Sequence, residues 1–391
     1  MPTGQEGKPD AKSGPTPDVN TDVKQEGTSG STRGVAIGAE VAQAVIPGIP
    51  VKGADRVKKS PDRASERMEM MRRIDINWDD GYLLEFAKQY PDVIRPFVDD
   101  IGKIAAMDRT SPDYALTKSQ FFGRMLPVLD ENIRKIVERI SELKGGLGTE
   151  ADPGARESLK EAFFLNQKFL KEIGDFKMNV FLYKAAYERF SYNRAEIERK
   201  LMAKIKSGEV VIPEELPYVT FVNKNPGEQY VLVYKYEKAQ QKLSLKSCNL
   251  ASTGDQLRWG KDDHTTPSRV YYVGSVVGLD HSSIREGAEV YGREAMRIEQ
   301  KPYQIFRLFK SENGEYVRTS YLMHPTNEEP LLGETASHGC IRTSRLTNLQ
   351  IQKIYEEYFR GQGVTDFSKF PPDQMRTPKA KMPVVIDDVA K

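Results

Sequence analysis

Apolar residues keep one spacing up to about residue 206 and another beyond about residue 218, and this change of period constrains the fold more than any other feature. Phe122, Leu126, Leu129, Ile133, Ile136, Ile140 and Leu143 follow one another in steps of four and three. Such a stripe presents one seam of a helix to another helix. Pro127 interrupts it, which predicts a kink or a helix start there. A second stripe runs through Phe169, Ile173, Phe176, Val180, Tyr183, Tyr187 and Phe190, prolonged by Ile197 and Leu201. Between the two, "KGGLGTEADPG" (144–154) breaks the pattern with glycines and a proline. The expected result is an antiparallel helical hairpin docked on shorter helices over 79–107, its aromatic stripe packed as core rather than shown to a ligand.

"GEVVIPEELPYV" (208–219) ends the helical pattern, and the period then becomes two. "EQYVLVYKYEKAQQKLSLKSC" (228–248) reads as a β-hairpin; further strands are expected in 268–278, 303–310, 316–324 and 382–387. Ile351, Ile354, Tyr355 and Tyr358 mark one helix over about 348–360. The fold class expected is α+β: a tail or tether over 1–66, a helical domain over 67–207, a linker over 208–217 and a mainly β domain over 218–388. The first 66 residues contain no aromatic side chain, so they cannot bury enough apolar area to offset ordering.

Charge and cysteine content narrow the function. With 58 basic against 56 acidic residues there is no electrostatic reason to expect a nucleic-acid partner. No stretch approaches the ~20 apolar residues of a membrane-spanning helix. Two cysteines, Cys248 and Cys340, make no disulfide framework; Cys248 is expected as a small core residue.

The chemistry concentrates in "GETASHGCIRTS" (333–344), where His338, Gly339 and Cys340 adjoin. A thiol attacks carbonyl carbon as the thiolate, and an imidazole can take its proton. His338 lies two residues from Cys340. His324 ends a predicted strand, and an antiparallel return over the intervening loop would set it against Cys340. Both remain candidates on the residues alone, beside an inert buried thiol. A zinc site is disfavoured, because no C-x-x-C or H-x-x-x-H spacing accompanies these residues, and no cofactor is implied. Gly339 would let backbone N–H groups meet an oxyanion, and Arg342 could hold a substrate carboxylate or brace the loop. Thr347 to Gln350 has the form of a capping box, which places a helix end beside the site. His264 and His281 read as solvated loop residues.

"HPTNEEPLLGETASHGCIR" resembles the signature of L,D-transpeptidase catalytic domains of the YkuD type: His324, then Gly333, Ser337, His338, Gly339, Cys340, Ile341 and Arg342. Ser252–Gly254, Thr266–Pro267 and the strand "MPVVI" are similar to further family features, so the resemblance covers about 218–388. It implies a mainly β catalytic fold in which Cys340 opens the bond between the third and fourth residues of a peptidoglycan stem peptide. His324 would then be the general base, His338 and Ser337 would shape the loop or orient that base, and Gly339 and Cys340 would supply oxyanion N–H groups. Ser337 and Arg342 would border the substrate. Such an enzyme acts in the cell envelope or periplasm after export, with a second stem or an envelope protein as acceptor. Water as acceptor would make it an L,D-carboxypeptidase, and a non-catalytic envelope-binding protein is the alternative from another class; the helical domain could dock an envelope protein. Pro325, Ser268 or Arg269, and Thr347 depart from the pattern, and 278–300 is expected as an insertion.

Overall fold

The computed structural model describes residues 77–254, 265–278, 304–326, 328–334, 337, 339–363 and 378–389. The tail expected over 1–66, together with His264, His281 and His338, lies outside them, as does the 278–300 insertion beyond Gly278. The fold is α+β, a helical region followed by a β-rich one.

Helix α1 (Trp78–Gln89), short α2 (Pro91–Ile94), a 3-10 turn (Arg95–Phe97) and α3 (Val98–Ala106) precede a hairpin of two long helices, α4 (Asp113–Thr149) and α5 (Pro153–Lys206). Both stripes are buried in their seam: Phe122, Leu129, Ile136 and Leu143 face Phe169, Ile173, Phe176, Val180, Tyr183, Tyr187 and Phe190. Pro127 lies well inside α4, which starts at Asp113, so of the two readings the helix start is excluded. The expected break at the glycine run is corrected. The glycine run stays helical as far as Thr149, and the turn is confined to Glu150–Asp152. Interior glycine costs about 1 kcal/mol relative to alanine, but the long seam carries the helix through. Asp152 then accepts the Ala155 N–H at 2.7 Å, and Pro153 takes the first helical turn of α5, where its missing N–H costs nothing.

Beyond the hairpin come β1 (Tyr218–Asn223), β2 (Tyr230–Glu237), β3 (Lys242–Ser252), β4 (Arg269–Gly278), β5 (Gln304–Glu312), β6 (Glu315–Pro325), β7 (Ile341–Thr343), helix α6 (Arg345–Gly361) and β8 (Pro383–Asp387). They close into a barrel in the order β1-β2-β3-β7-β6-β5-β4-β8. Strands β1 to β3 are buried on both faces. Val222, Val231, Val233 and Ala251 point to an inner core shared with Phe306, Met323, Ile341 and the Ile351, Ile354 and Tyr355 face of α6. Val219, Phe221, Tyr230, Leu232, Tyr234 and Leu250 alternate with them and meet the helical hairpin. One face of the barrel is therefore a helix-packing surface.

At the β4–β5 pair the register shifts between Val273 and Ser275, and Gly274 occupies the shift. A Cβ on Gly274 would stand 1.7 Å from the Phe309 ring. Gly274→Ala should therefore destabilise the protein at the upper end of about 1–3 kcal/mol, the range for overpacking. Chemical denaturation of wild type and variant measures it; an unchanged midpoint would refute the packing argument.

A buried polar network joins the two regions. Asp79 on α1 accepts hydrogen bonds from Tyr187 Oη on α5 (2.7 Å), Ser247 Oγ (2.8 Å) and the Cys248 N–H (3.1 Å) on β3, and Gln350 Nε2 (3.4 Å) on α6. Beside it, Lys118 of α4 pairs with Asp80 at 2.9 Å, with both side chains inside the protein. Burial pushes the Asp79 carboxyl above its ordinary range, and the Lys118 ammonium offsets part of that shift.

Candidate active site

The segment before Cys340 is held by backbone pairing to the residues after β3. The Gly333 N–H donates to Ala251 O (2.9 Å) and the Ser337 N–H to Thr253 O (3.1 Å), while Gly254 and Ser337 form a parallel bridge. Thr266 ties in the Thr-Pro stretch: its Oγ1 accepts the Gly254 N–H at 2.9 Å and donates to Gly339 O at 2.9 Å. Ser337 is buried and turned onto its own loop. Its Oγ donates to Cys340 O and accepts the Gly339 N–H at 3.2 Å. The Gly339 N–H expected at an oxyanion is thus engaged by Ser337, and Gly339 has φ +100°, a conformation that favours glycine.

The antiparallel return expected between His324 and Cys340 is overturned. Strands β6 and β7 run parallel, pairing Met323 with Ile341, His324 with Arg342 and Pro325 with Thr343. The reason is the connection. Instead of making a hairpin, the chain leaves β6, passes through a 3-10 turn (Glu329–Leu331), bridges to Gly254, and re-enters the sheet between β3 and β6. Cys340 consequently enters one pleat below the level of His324, with the Leu322 amide against its sulfur.

Burial decides the protonation of both groups. His324 is 2% exposed, and burial lowers its pKa to about 4; Arg342 lowers it too, while the Pro325 carbonyl raises it. His324 Nδ1 lies 2.8 Å from Pro325 O. A carbonyl oxygen only accepts, so Nδ1 carries the proton and Nε2 is the basic nitrogen. Burial pushes the Cys340 thiol up, against the Leu322 amide and the Arg342 and Arg307 guanidiniums, which favour the thiolate. Burial thus favours the neutral form of each group, the thiol at Cys340 and the imidazole at His324.

Arg342 acts on both groups and is itself held by Glu328 at 3.0 Å. The expected capping box at Thr347 is corrected as well. Helix α6 starts at Arg345, and its cap is Ser344, whose Oγ accepts the Thr347 N–H at 3.1 Å. Buried Glu329 accepts the Arg345 N–H at 2.6 Å, so a carboxylate and a hydroxyl meet the positive end of the helix.

Sequence reading singled out Cys340, His324, Ser337, Gly339 and Arg342, and these five come together; His338 is outside the described residues. It missed Arg307, Glu328, Glu329 and Arg189, which no local pattern marks. Among the described residues no three His, Cys, Asp or Glu side chains gather as a metal site, and no helix is long and apolar enough to cross a membrane. Both cysteines are free thiols, and Cys248 is buried beneath Asp79. A cavity of about 350 Å³ lies between α1, β1 and α6, lined by Trp78, Tyr82, Tyr218, Gln350 and Ile354, and does not reach Cys340.

Comparison with known families matches residues 217–357 to the YkuD family model, the L,D-transpeptidase catalytic domain. The match covers the barrel from β1 to most of α6 and ends short of β8. Comparison with curated proteins finds no match.

Proposed function

On the premise that residues 217–357 are an L,D-transpeptidase catalytic domain, we propose that this protein remodels peptidoglycan through a thioester on Cys340. The observation that supports the reading best is the juxtaposition, at the junction of parallel β6 and β7, of a thiol and a neutral buried imidazole around one guanidinium.

In this mechanism His324 Nε2 takes the Cys340 proton as sulfur attacks the carbonyl carbon between the third and fourth residues of a tetrapeptide stem. Before attack the pair is neutral, so little charge is stored in the buried site. As the thiol proton leaves, the Arg342 and Arg307 guanidiniums stabilise the negative charge that develops on sulfur. The Cys340 N–H is the oxyanion donor, since the Gly339 N–H serves Ser337. Collapse of the tetrahedral adduct breaks the C–N bond. The imidazolium returns its proton to the leaving D-alanine amine, and the acyl group stays on sulfur. An amine from a second stem or an envelope protein then gives a proton to His324 and attacks the thioester, releasing Cys340 as thiol. Ser337 holds the loop, and Arg342 braces it through Glu328. Because peptidoglycan lies outside the cytoplasmic membrane, the site of action is the cell envelope, and the helical region is the part suited to dock an envelope partner.

A carbapenem offers a strained cyclic amide to the same nucleophile. Intact mass after exposure should show one covalent adduct on wild type and none on Cys340→Ala. Folded wild type that stays unmodified would overturn the acyl-enzyme reading.

A further inference from the structure

Arg189 lies far from the catalytic loop in sequence, on helix α5, yet its guanidinium reaches the loop's first residue. Nη1 donates to Gly333 O at 3.0 Å and lies 3.5 Å from Gln229 O. The contact depends on glycine: Gly333 has φ +102°, and a Cβ there would come within 2.3 Å of Nη1. The absence of a side chain is what lets the cation approach the carbonyl.

From that anchor a continuous run of hydrogen bonds leads to Cys340. The Gln229 N–H shares the Gly333 carbonyl at 3.2 Å. The Gln229 side chain bonds Thr253 twice, donating to Oγ1 at 2.8 Å and accepting the Thr253 N–H at 2.7 Å. Thr253 O receives the Ser337 N–H, and Ser337 Oγ holds Gly339 and Cys340. The helix does not need Arg189 to stay docked, because its neighbours Tyr187 and Phe190 are fully buried.

We propose that Arg189 is a positioning residue for Cys340: the helical region sets the start of the loop at Gly333 through this guanidinium, and the Gln229–Thr253–Ser337 run passes that setting to the thiol. This rests on the reading of Cys340 as the nucleophile. The contact is charge-assisted, so it is stronger than a neutral amide–carbonyl bond. Lysine would supply the charge from a different stem and as a point donor, and should restore the function only in part.

The test uses the full chain and the variants Arg189→Met, Arg189→Lys, Gly333→Ala and the Met/Ala double variant. The carbapenem is the acylating probe, and hydrogen exchange is followed by mass spectrometry. Arg189→Met should lower the saturating acylation rate roughly 10- to 100-fold, with little change in the half-saturating concentration, since positioning rather than probe binding is lost. Arg189→Lys should fall between. Exchange at the Gly333 and Ser337 amides should quicken while β5 and β6 keep wild-type protection. The double variant should be no slower than the worse single one, because both break the same contact. Wild-type acylation and unchanged loop exchange in Arg189→Met would overturn the proposal, as would loosening of the whole barrel. If wild type itself takes no adduct, the nucleophile reading fails, and unchanged loop exchange in Arg189→Met would still overturn the role of Arg189.

Discussion

His324→Gln is expected to slow acylation of Cys340 about a thousandfold, within the range for removal of a positioned general base. The expectation follows from the protonation states. Burial raises the thiol and lowers the imidazole, so both neutral forms are favoured and the proton is expected to leave during attack rather than before it. Glutamine can still donate to the Pro325 carbonyl but cannot take a proton. The time course of the carbapenem adduct, read by intact mass, gives the rate. A loss of less than tenfold would remove His324 from the base role. His338→Ala is expected to cost less. In wild type the rate should persist as pH falls below the ordinary histidine range and decline only near pH 4, where His324 itself protonates.

The same residue leaves a thermodynamic signature. Between its folded value of about 4 and its unfolded value of about 6.5, the unfolded chain binds the proton that the folded chain refuses. Stability therefore falls as pH falls through that window, by at most roughly 3 kcal/mol from this group. His324→Gln should flatten this part of the stability curve relative to wild type. Equal slopes in denaturant titrations at several pH values would contradict the depressed value.

Lys118→Met is expected to cost about 3–5 kcal/mol, the usual result of leaving a buried carboxylate without its cation. Lys118 sits between Asp80, at 2.9 Å, and Asp79, and its ammonium also lies 4.6 Å from the centre of the Tyr187 ring. Burial alone would lower its pKa, but the two carboxylates hold it above the ordinary range. Without Lys118 the Asp79 carboxyl loses the charge that offsets its burial, so the folded state favours its protonated form still more strongly than the unfolded state does. The deficit should therefore shrink as pH falls and grow as pH rises. Adding Asp80→Asn should recover part of the loss, since the uncompensated charge goes with it. Urea unfolding of the three proteins at acid and neutral pH measures all of this. A single variant within 1 kcal/mol of wild type would show that the ion pair contributes little.

The helical stripes were legible because a helix repeats its contacts every three or four residues along the chain, and the buried seam from Phe122 to Leu143 follows that repeat. The strands were legible for the same local reason. Their double burial was not, because residues such as Phe221 and Leu232 are covered by helices encoded far upstream. The glycine run at 144–154 misled because local propensity was outweighed by the length of the seam it extends.

At the site, covalent adjacency placed Ser337, Gly339, Cys340 and Arg342 together, and the upstream strand marked His324; these choices were made by sequence alone. What only the tertiary structure decided is how they meet. The parallel register of β6 and β7 depends on a loop that crosses to Gly254, and no period within either strand encodes that path. The neutral state of the pair depends on burial by distant elements, and the proton on Nδ1 depends on a carbonyl's orientation. The Arg189 contact depends on a helix meeting a loop 144 residues away. Residue identity and local period act over a few residues, whereas register, desolvation and hydrogen-bond partners belong to the closed barrel and the hairpin packed on it.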